Sequence, residues 1–260
     1  MARQIRIGVQ LNPQHAAWDD LRRAAVEAED AGVDAIFTWD HFFPLSGDRD
    51  GRHLECWTVL AAWAELTGRV ELAPLVSCIG YRNPDLLADM ARTVDHISGG
   101  RLVLGLGAGF KERDFVEYGY LYGTVGERLD ALEAGLPRIE QRLGRLNPAP
   151  TRRIPVMVGG GGERRTLPLV ARHADIWHTF AEGEDFARKA KVLDAACVTI
   201  GRDPGEIERS VLVGGDPLDS GVALRAQGVS LFVLGANGPG YDLDGVRRWV
   251  RWRDEENAVA

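Results

Sequence analysis

Eight times along the chain, a short β-branched or aliphatic run gives way to a longer stretch with apolar residues every three to four positions. This alternation limits the fold more than any other feature. Strands joined through helices lie parallel, with right-handed crossovers that return a helix to the sheet after each strand. The strand candidates are Ile5–Leu11, Asp34–Trp39, Val70–Cys78, Arg101–Gly107, Ile154–Val158, Asp175–Thr179, Ile207–Val213 and Ser230–Leu234. Helices are expected over Trp18–Ala31, Glu55–Leu66, Pro84–Ile97, Val125–Leu143, Glu163–His173, Glu184–Thr199, within Asp219–Gln227, and over Asp244–Glu255. Eight units in 260 residues match a closed (β/α)8 TIM barrel. An open doubly wound sheet is the alternative.

Gly32 and Gly68 fall where helices should end, and Pro84 where the third should begin. No linker or low-complexity segment interrupts the pattern, so one domain over 1–260 is expected. A net charge of -7 gives no basic face for nucleic acid. The three cysteines, Cys56, Cys78 and Cys197, are far apart and form neither a CxxC pair nor a zinc set with the six histidines. No metal is expected. No run reaches the roughly 18 apolar residues of a membrane span, and Met1–Gly8 lacks the apolar core of a signal peptide. A cytoplasmic protein without a membrane partner follows as the expectation.

In such barrels the functional groups gather at the C-terminal strand ends, and the unusual residues of this sequence fall there. Gly159, Gly160, Gly161 and Gly162 expose backbone amides before a helix expected from Glu163, an arrangement that binds phosphate. Arg164 and Arg165 would add charge; a flexible turn with solvated arginines is the plainer reading. The run Gly105-Leu106-Gly107-Ala108-Gly109-Phe110 lacks the third glycine of a dinucleotide fingerprint. Its glycines either let the backbone approach a flat ring or serve barrel packing. Asp40-His41 pairs a carboxylate with a group that titrates near neutrality. Trp39, Phe42, Phe43, Phe110 and Trp177 are candidates for a pocket wall, and His178 also lies at a strand end.

Four segments in order carry a family resemblance: Asp40-His41, Tyr81-Arg82-Asn83-Pro84, Asp95–Leu102 (DHISGGRL) with Leu104–Gly109 (LGLGAG), and Val158–Leu167 (VGGGGERRTL). Together they resemble the luciferase-like monooxygenase superfamily, and more narrowly its F420-dependent oxidoreductases. The resemblance implies hydride transfer between the deazaflavin F420 and a small organic substrate, with His41 and Asp40 at the redox edge as catalytic residues. It implies a non-proline cis peptide at Ser77-Cys78 behind the ring. It further implies cofactor contacts from Asp40, Asn83, Gly107, Ala108, Gly109, the Gly159–Gly162 loop with Glu163, and Trp177, in a homodimer. An FMN-dependent monooxygenase on the same scaffold is the alternative, and a non-catalytic cofactor-binding barrel the second. Phe110 stands where sugar-phosphate dehydrogenases of the family carry glutamate, and lysine occurs only at 111, 189 and 191. Both features argue against a phosphorylated sugar as substrate. The strand-end His-x-His or carboxylate sets of metal-dependent hydrolases do not occur.

Overall fold

The computed structural model describes residues 3–259; Met1, Ala2 and Ala260, which the expected 1–260 domain includes, lie outside them. Strands β1 (Arg6–Asn12), β2 (Ala35–Thr38), β3 (Glu71–Pro74), β4 (Ser77–Cys78), β5 (Leu104–Gly107), β6 (Val156–Gly159), β7 (Ile176–Thr179), β8 (Glu208–Val213) and β9 (Leu231–Asn237) form one parallel sheet. Their order is β3-β2-β1-β9-β8-β7-β6-β5-β4. The ends meet where the Leu72 amide donates to the Arg101 carbonyl (3.0 Å) and the Val103 amide to the Leu72 carbonyl (2.9 Å). The sheet is thus a TIM barrel, with helices α1 (Trp18–Asp30), α2 (Cys56–Leu66), α3 (Pro84–Ile97), α4 (Glu112–Glu117), α5 (Val125–Leu143), α6 (Thr166–His173), α7 (Gly183–Thr199), α8 (Pro217–Ala226) and α9 (Asp244–Ala258) between its strands. Helix α4 is additional to the eight expected and folds within the long connection after β5.

Strand alternation sorts the side chains into two layers. Ile7, Val9, Ile36, Leu72, Leu104, Val158 and Trp177 face outward and pack under the helices. Phe37, Ala73, Val103, Met157, Ile176 and Val233 fill the lumen. At the N-terminal end of the lumen, Arg6 bridges Glu71 and Glu208. Much of the DHISGGRL segment serves this architecture. Gly99 and Gly100 adopt positive φ (64° and 88°) to end α3. The Arg101 guanidinium then ties down the carbonyls of Ala64, Thr67, Val70 and Ser98.

Three expectations need correction. The third strand is not continuous over Val70–Cys78: it breaks at Leu75-Val76, and that bond, not Ser77-Cys78, is the non-proline cis peptide. Ser77 and Cys78 instead pair in regular parallel register with Leu106 and Gly107, so the break has to come before them. Helix α6 starts at Thr166 rather than Glu163, because Gly160 takes a φ of 129° and residues 163–165 form a turn. None of the described helices is long and apolar enough to cross a membrane, and no cluster of His, Cys, Asp or Glu among the described residues is arranged to hold a metal ion.

Candidate active site at the barrel mouth

His41 lies three residues beyond the end of β2, at the C-terminal mouth. Its Nδ1 meets Asp114 Oδ2 of α4 at 2.5 Å. Asp114 is 2% exposed and also accepts from the Phe42 amide (3.3 Å) and the Tyr81 hydroxyl (3.1 Å). Burial opposes its charge, but the hydrogen bond and charge of His41, with the Phe42 and Tyr81 donors, outweigh it and hold the carboxyl below its usual range. An ionised Asp114 fixes the His41 tautomer with the proton on Nδ1, which leaves Nε2 as the atom available for proton exchange. The Phe110 ring stands edge-on to the imidazole at 5.3 Å, and Trp39 lies at 6.0 Å on another side. The Trp39 indole donates to His53 Nε2 at 2.9 Å. Burial, then the neighbouring His41, depress the His53 pKa to about 4.

The floor beside this pair is made by Val76 and glycines. A Cβ on Gly107 would come within 2.6 Å of the Val76 side chain, and one on Gly159 within 3.0 Å. A Cβ on Gly105 would sit 2.0 Å from the Pro74 carbonyl oxygen. Glycine at all three positions is therefore a packing requirement of the interrupted third strand, whatever binds above it. Gly109 has a φ of 78° and packs against Cys78 Sγ and the Phe115 ring, while its carbonyl accepts from Arg128 (3.2 Å). Gly235 differs from these: no atom lies within 4 Å of its Cβ position, so the space above β9 is open.

Farther round the mouth, the Gly160 amide donates to the His178 carbonyl (2.9 Å), while the Gly161 and Gly162 amides meet no protein acceptor among the described residues. Lys189 of α7 lies against Gly161, and a hollow of about 350 Å³ opens between Leu129 and residues 161–166.

A family model described as luciferase-like monooxygenase matches residues 2–214. The chain belongs to the luciferase-like monooxygenase family. An uncharacterised protein of Mycobacterium tuberculosis is 31% identical over 173 residues, covering 61% of each chain. The F420-dependent glucose-6-phosphate dehydrogenase of Amycolatopsis mediterranei is 26% identical over 189 residues, covering 65% of this chain and 54% of that protein. The chain thus spans about three-fifths and about half of these relatives. Among solved structures, an F420-dependent secondary alcohol dehydrogenase superposes with a TM-score of 0.81 at 17% identity, covering 96% of this chain and 98% of that one. The FMN-bound oxygenating constituent of 3,6-diketocamphane monooxygenase from Pseudomonas putida gives 0.66 at 17% identity, covering 82% and 68%. At these identities the structural likeness shows the fold alone.

Within this luciferase-like barrel the sequence-derived candidates divide. His41, Gly107, Ala108, Gly109 and the Gly159–Gly162 loop all lie at the mouth. Asp40 is buried and turned away from the mouth. It continues the outward-facing row of β2, is 2% exposed, and has both carboxylate oxygens engaged. Arg82 holds it through two contacts (2.6 and 2.9 Å), and the Ser77 hydroxyl (2.7 Å) and Cys78 amide (3.2 Å) complete the set. Ser77, fully buried, accepts in turn from the Trp57 indole (2.9 Å). Burial pushes the Cys78 thiol up to about 12, so it stays protonated. Asn83 is the exposed N-cap of α3, accepting from the Asp85 amide at 2.9 Å. Trp177 was expected in the pocket wall but stands behind it. Strand parity points it outward onto Phe186, fully buried, and its indole anchors the Gly160 carbonyl at 2.8 Å. Glu163 pairs with Arg188, and Arg165 with Asp130 and Glu133. Lys189 lies against Gly161 but is itself paired with Asp185 (2.6 Å), whereas Arg164 lines the hollow at the glycine loop with no ion-pair partner among the described residues. Asp114, Val76 and Lys189 had no signal in the sequence, and Tyr81 and Arg82 stood in a resemblance segment without an assigned role, since their roles depend on partners far along the chain, Asp114 and Asp40.

His178 faces the lumen, 2% exposed, with Nδ1 on Ser210 Oγ (2.8 Å) and Nε2 without a partner among the described residues. Burial lowers its pKa from 6.5 to about 3. Because the folded-state pKa lies below the unfolded value, the unfolded chain takes up the proton first as the pH falls. Stability contributed by neutral His178 is intact above pH 6.5 and is lost on descending towards pH 3. Urea unfolding at stepped pH should show His178→Gln flattening the loss below pH 6.5 by about 1 kcal/mol per pH unit. Equal slopes for parent and variant would refute the assignment.

Proposed function

We propose that this chain is an F420-dependent oxidoreductase, transferring a hydride between F420 and a small organic substrate, with His41 handling the proton. The observation that carries the reading is the His41–Asp114 pair, set beside a side-chain-poor floor at the barrel mouth. The mouth suits a flat ring with a phosphorylated tail. Val76 offers an apolar support, in the role the resemblance gives to the residue of the cis peptide, and space is open over Gly235. Asn12 Oδ1 and His178 Nε2 are buried polar atoms that lack partners among the described residues. The Gly161 and Gly162 amides beside Lys189 make an anion site for the phosphate.

When bound, F420 supplies the hydride chemistry; the protein positions and shields. His41 Nε2 gives a proton to the substrate oxygen, or takes it, according to direction. Asp114 orients the imidazole, while Phe110 and Trp39 limit water beside it. Asp40 acts at one remove, by fixing Arg82 and the β4 backbone. F420 ranks above FMN because relatives such as the glucose-6-phosphate dehydrogenases of Amycolatopsis mediterranei and Kribbella flavida are named F420-dependent; FMN is the second reading, favoured by the flavin-bound neighbour. The reading has the protein acting as a cytoplasmic homodimer. Titrating ligand-free protein with each cofactor tests the order: F420 fluorescence should quench saturably and FMN fluorescence should not. FMN binding with none of F420 would reverse it.

A further inference from the structure

Away from the mouth, a slot opens between α5 and α6 over the outer face of β5 and β6. It lies towards the N-terminal end of the barrel, where α5 ends at Leu143, α6 ends at His173 and β6 begins at Val156. Its position follows from the packing of α5. Gly135 has no room for a side chain, since a Cβ would meet Ile79 at 2.6 Å, so α5 lies tight against the chain leading into α3. On the other flank Arg172 of α6 reaches Glu133 of α5 (3.0 Å), and between the two helices a cavity of about 440 Å³ remains. That is within the roughly 300–1,000 Å³ of small-molecule pockets. Leu106 and Val156 from the strands, Leu136, Ile139 and Leu143 from α5, and Ile154 give it an aliphatic lining.

The rim of this slot is basic, in a chain whose net charge is -7. Residues 138–153 hold five arginines and one acid, Glu140. Arg138 and Arg153 are paired with Asp85 and Asp175. Arg142, Arg145 and Arg152 have no carboxylate partner among the described residues. Arg142 and Arg145 flank Leu143 and Gly144 of the lining. Arg152 itself lines the slot, and its guanidinium meets only the carbonyls of Gly100, Leu102 (3.1 Å) and Arg153 (3.4 Å). A guanidinium carries five N–H donors, so Arg152 keeps two for a ligand. The carbonyl ends of α5 and α6 oppose an anion here with about half a charge each, and Glu140 opposes it with a full one. Three unpaired guanidiniums outweigh them.

We propose that the slot is a binding site for an amphipathic carboxylate, its hydrocarbon tail between α5 and α6 and its carboxylate on Arg152. Neither half of such a ligand suits the slot alone. A wholly apolar molecule would cover the spare donors of Arg152 without pairing them, and a small anion would leave the aliphatic lining wet. The tail displaces water from Leu106, Leu136, Ile139 and Val156, and the head receives charge-assisted hydrogen bonds. No residue of this site belongs to the mouth, so the proposal does not rest on the oxidoreductase reading.

Calorimetric titration of the full chain with octanoate tests it, with hexanoate, octan-1-ol and octylammonium as comparisons. Octanoate should bind saturably at one site. Hexanoate, two CH2 groups shorter, should bind about tenfold more weakly. Octan-1-ol should bind at least about tenfold more weakly, and octylammonium not measurably. Methyl NMR locates the ligand: octanoate should shift Ile139 and Ile154, and should leave Val76 at the mouth unmoved. Leu143→Trp, which fills the slot, should abolish binding, and Arg152→Gln should bring octanoate down to the level of octan-1-ol. Circular dichroism checks that both variants fold; if either does not, methyl NMR on the parent chain still decides. No saturable binding, equal binding of octanoate and octan-1-ol, undiminished binding in folded Leu143→Trp, or shifts at Val76 in place of Ile139 and Ile154 would overturn the proposal.

Discussion

His41→Ala should reduce kcat/KM by about 100-fold to 10,000-fold, the range for loss of a positioned proton-transfer group, or roughly 3–5 kcal/mol of barrier. F420 affinity should hold within about threefold, because nothing in the site routes cofactor binding through the imidazole. Asp114→Asn is the more informative companion. The carboxylate of Asp114 accepts from His41 Nδ1, the Phe42 amide and the Tyr81 hydroxyl. An asparagine there no longer fixes the proton on Nδ1 and lets the imidazole move it to Nε2. The expected result is a loss of about ten-fold to 100-fold. Steady-state kinetics across pH, with cofactor affinity measured separately, checks both variants. Full activity in His41→Ala would remove the histidine from the chemistry.

Arg82→Ala should destabilise the protein by about 3–5 kcal/mol, because it strands a buried carboxylate. The Asp40 and Arg82 side chains are 1% and 10% exposed, and Arg82 also reaches Glu55, the N-cap of α2. Burial alone would lower the Arg82 pKa, but Asp40, with Glu55 adding to it, raises it above the usual arginine value. Losing the guanidinium leaves Asp40 with only Ser77 and the Cys78 amide. Asp40→Ala, which strands the arginine, should cost a similar amount, whereas Asp40→Asn keeps the shape and should cost less. Urea denaturation at pH 7 measures all three. A loss below about 1 kcal/mol for both alanine variants would show the pair to be no more than a surface bridge.

The barrel was legible because strand and helix periodicities are local properties of the chain. The eight units, their parallel order and the gathering of unusual residues at one end all follow from that alternation. What the sequence concealed follows from parity and from distance. Trp177 and His178 are neighbours on β7 and must face opposite layers, yet nothing local says which of them faces the lumen. The same ambiguity put Asp40 on the reactive side, where the structure has Trp39 in the lumen-facing row. Gly105, Gly107 and Gly159 look like cofactor glycines until Val76 and the Pro74 carbonyl are seen to fill the space of their missing side chains. Asp114 was passed over because its partner lies 73 residues earlier.

The central claim is that one mouth holds the deazaflavin ring over Val76 and its phosphate at the glycine loop, with His41 at the reacting edge. A crystal structure of the F420 complex tests it most directly. The account predicts the ring in van der Waals contact with Val76 and Gly107, the phosphate on the Gly161 and Gly162 amides near Lys189, and His41 Nε2 facing the reactive carbon. F420 bound elsewhere on the barrel, or a ring whose reactive edge points away from His41, would contradict it.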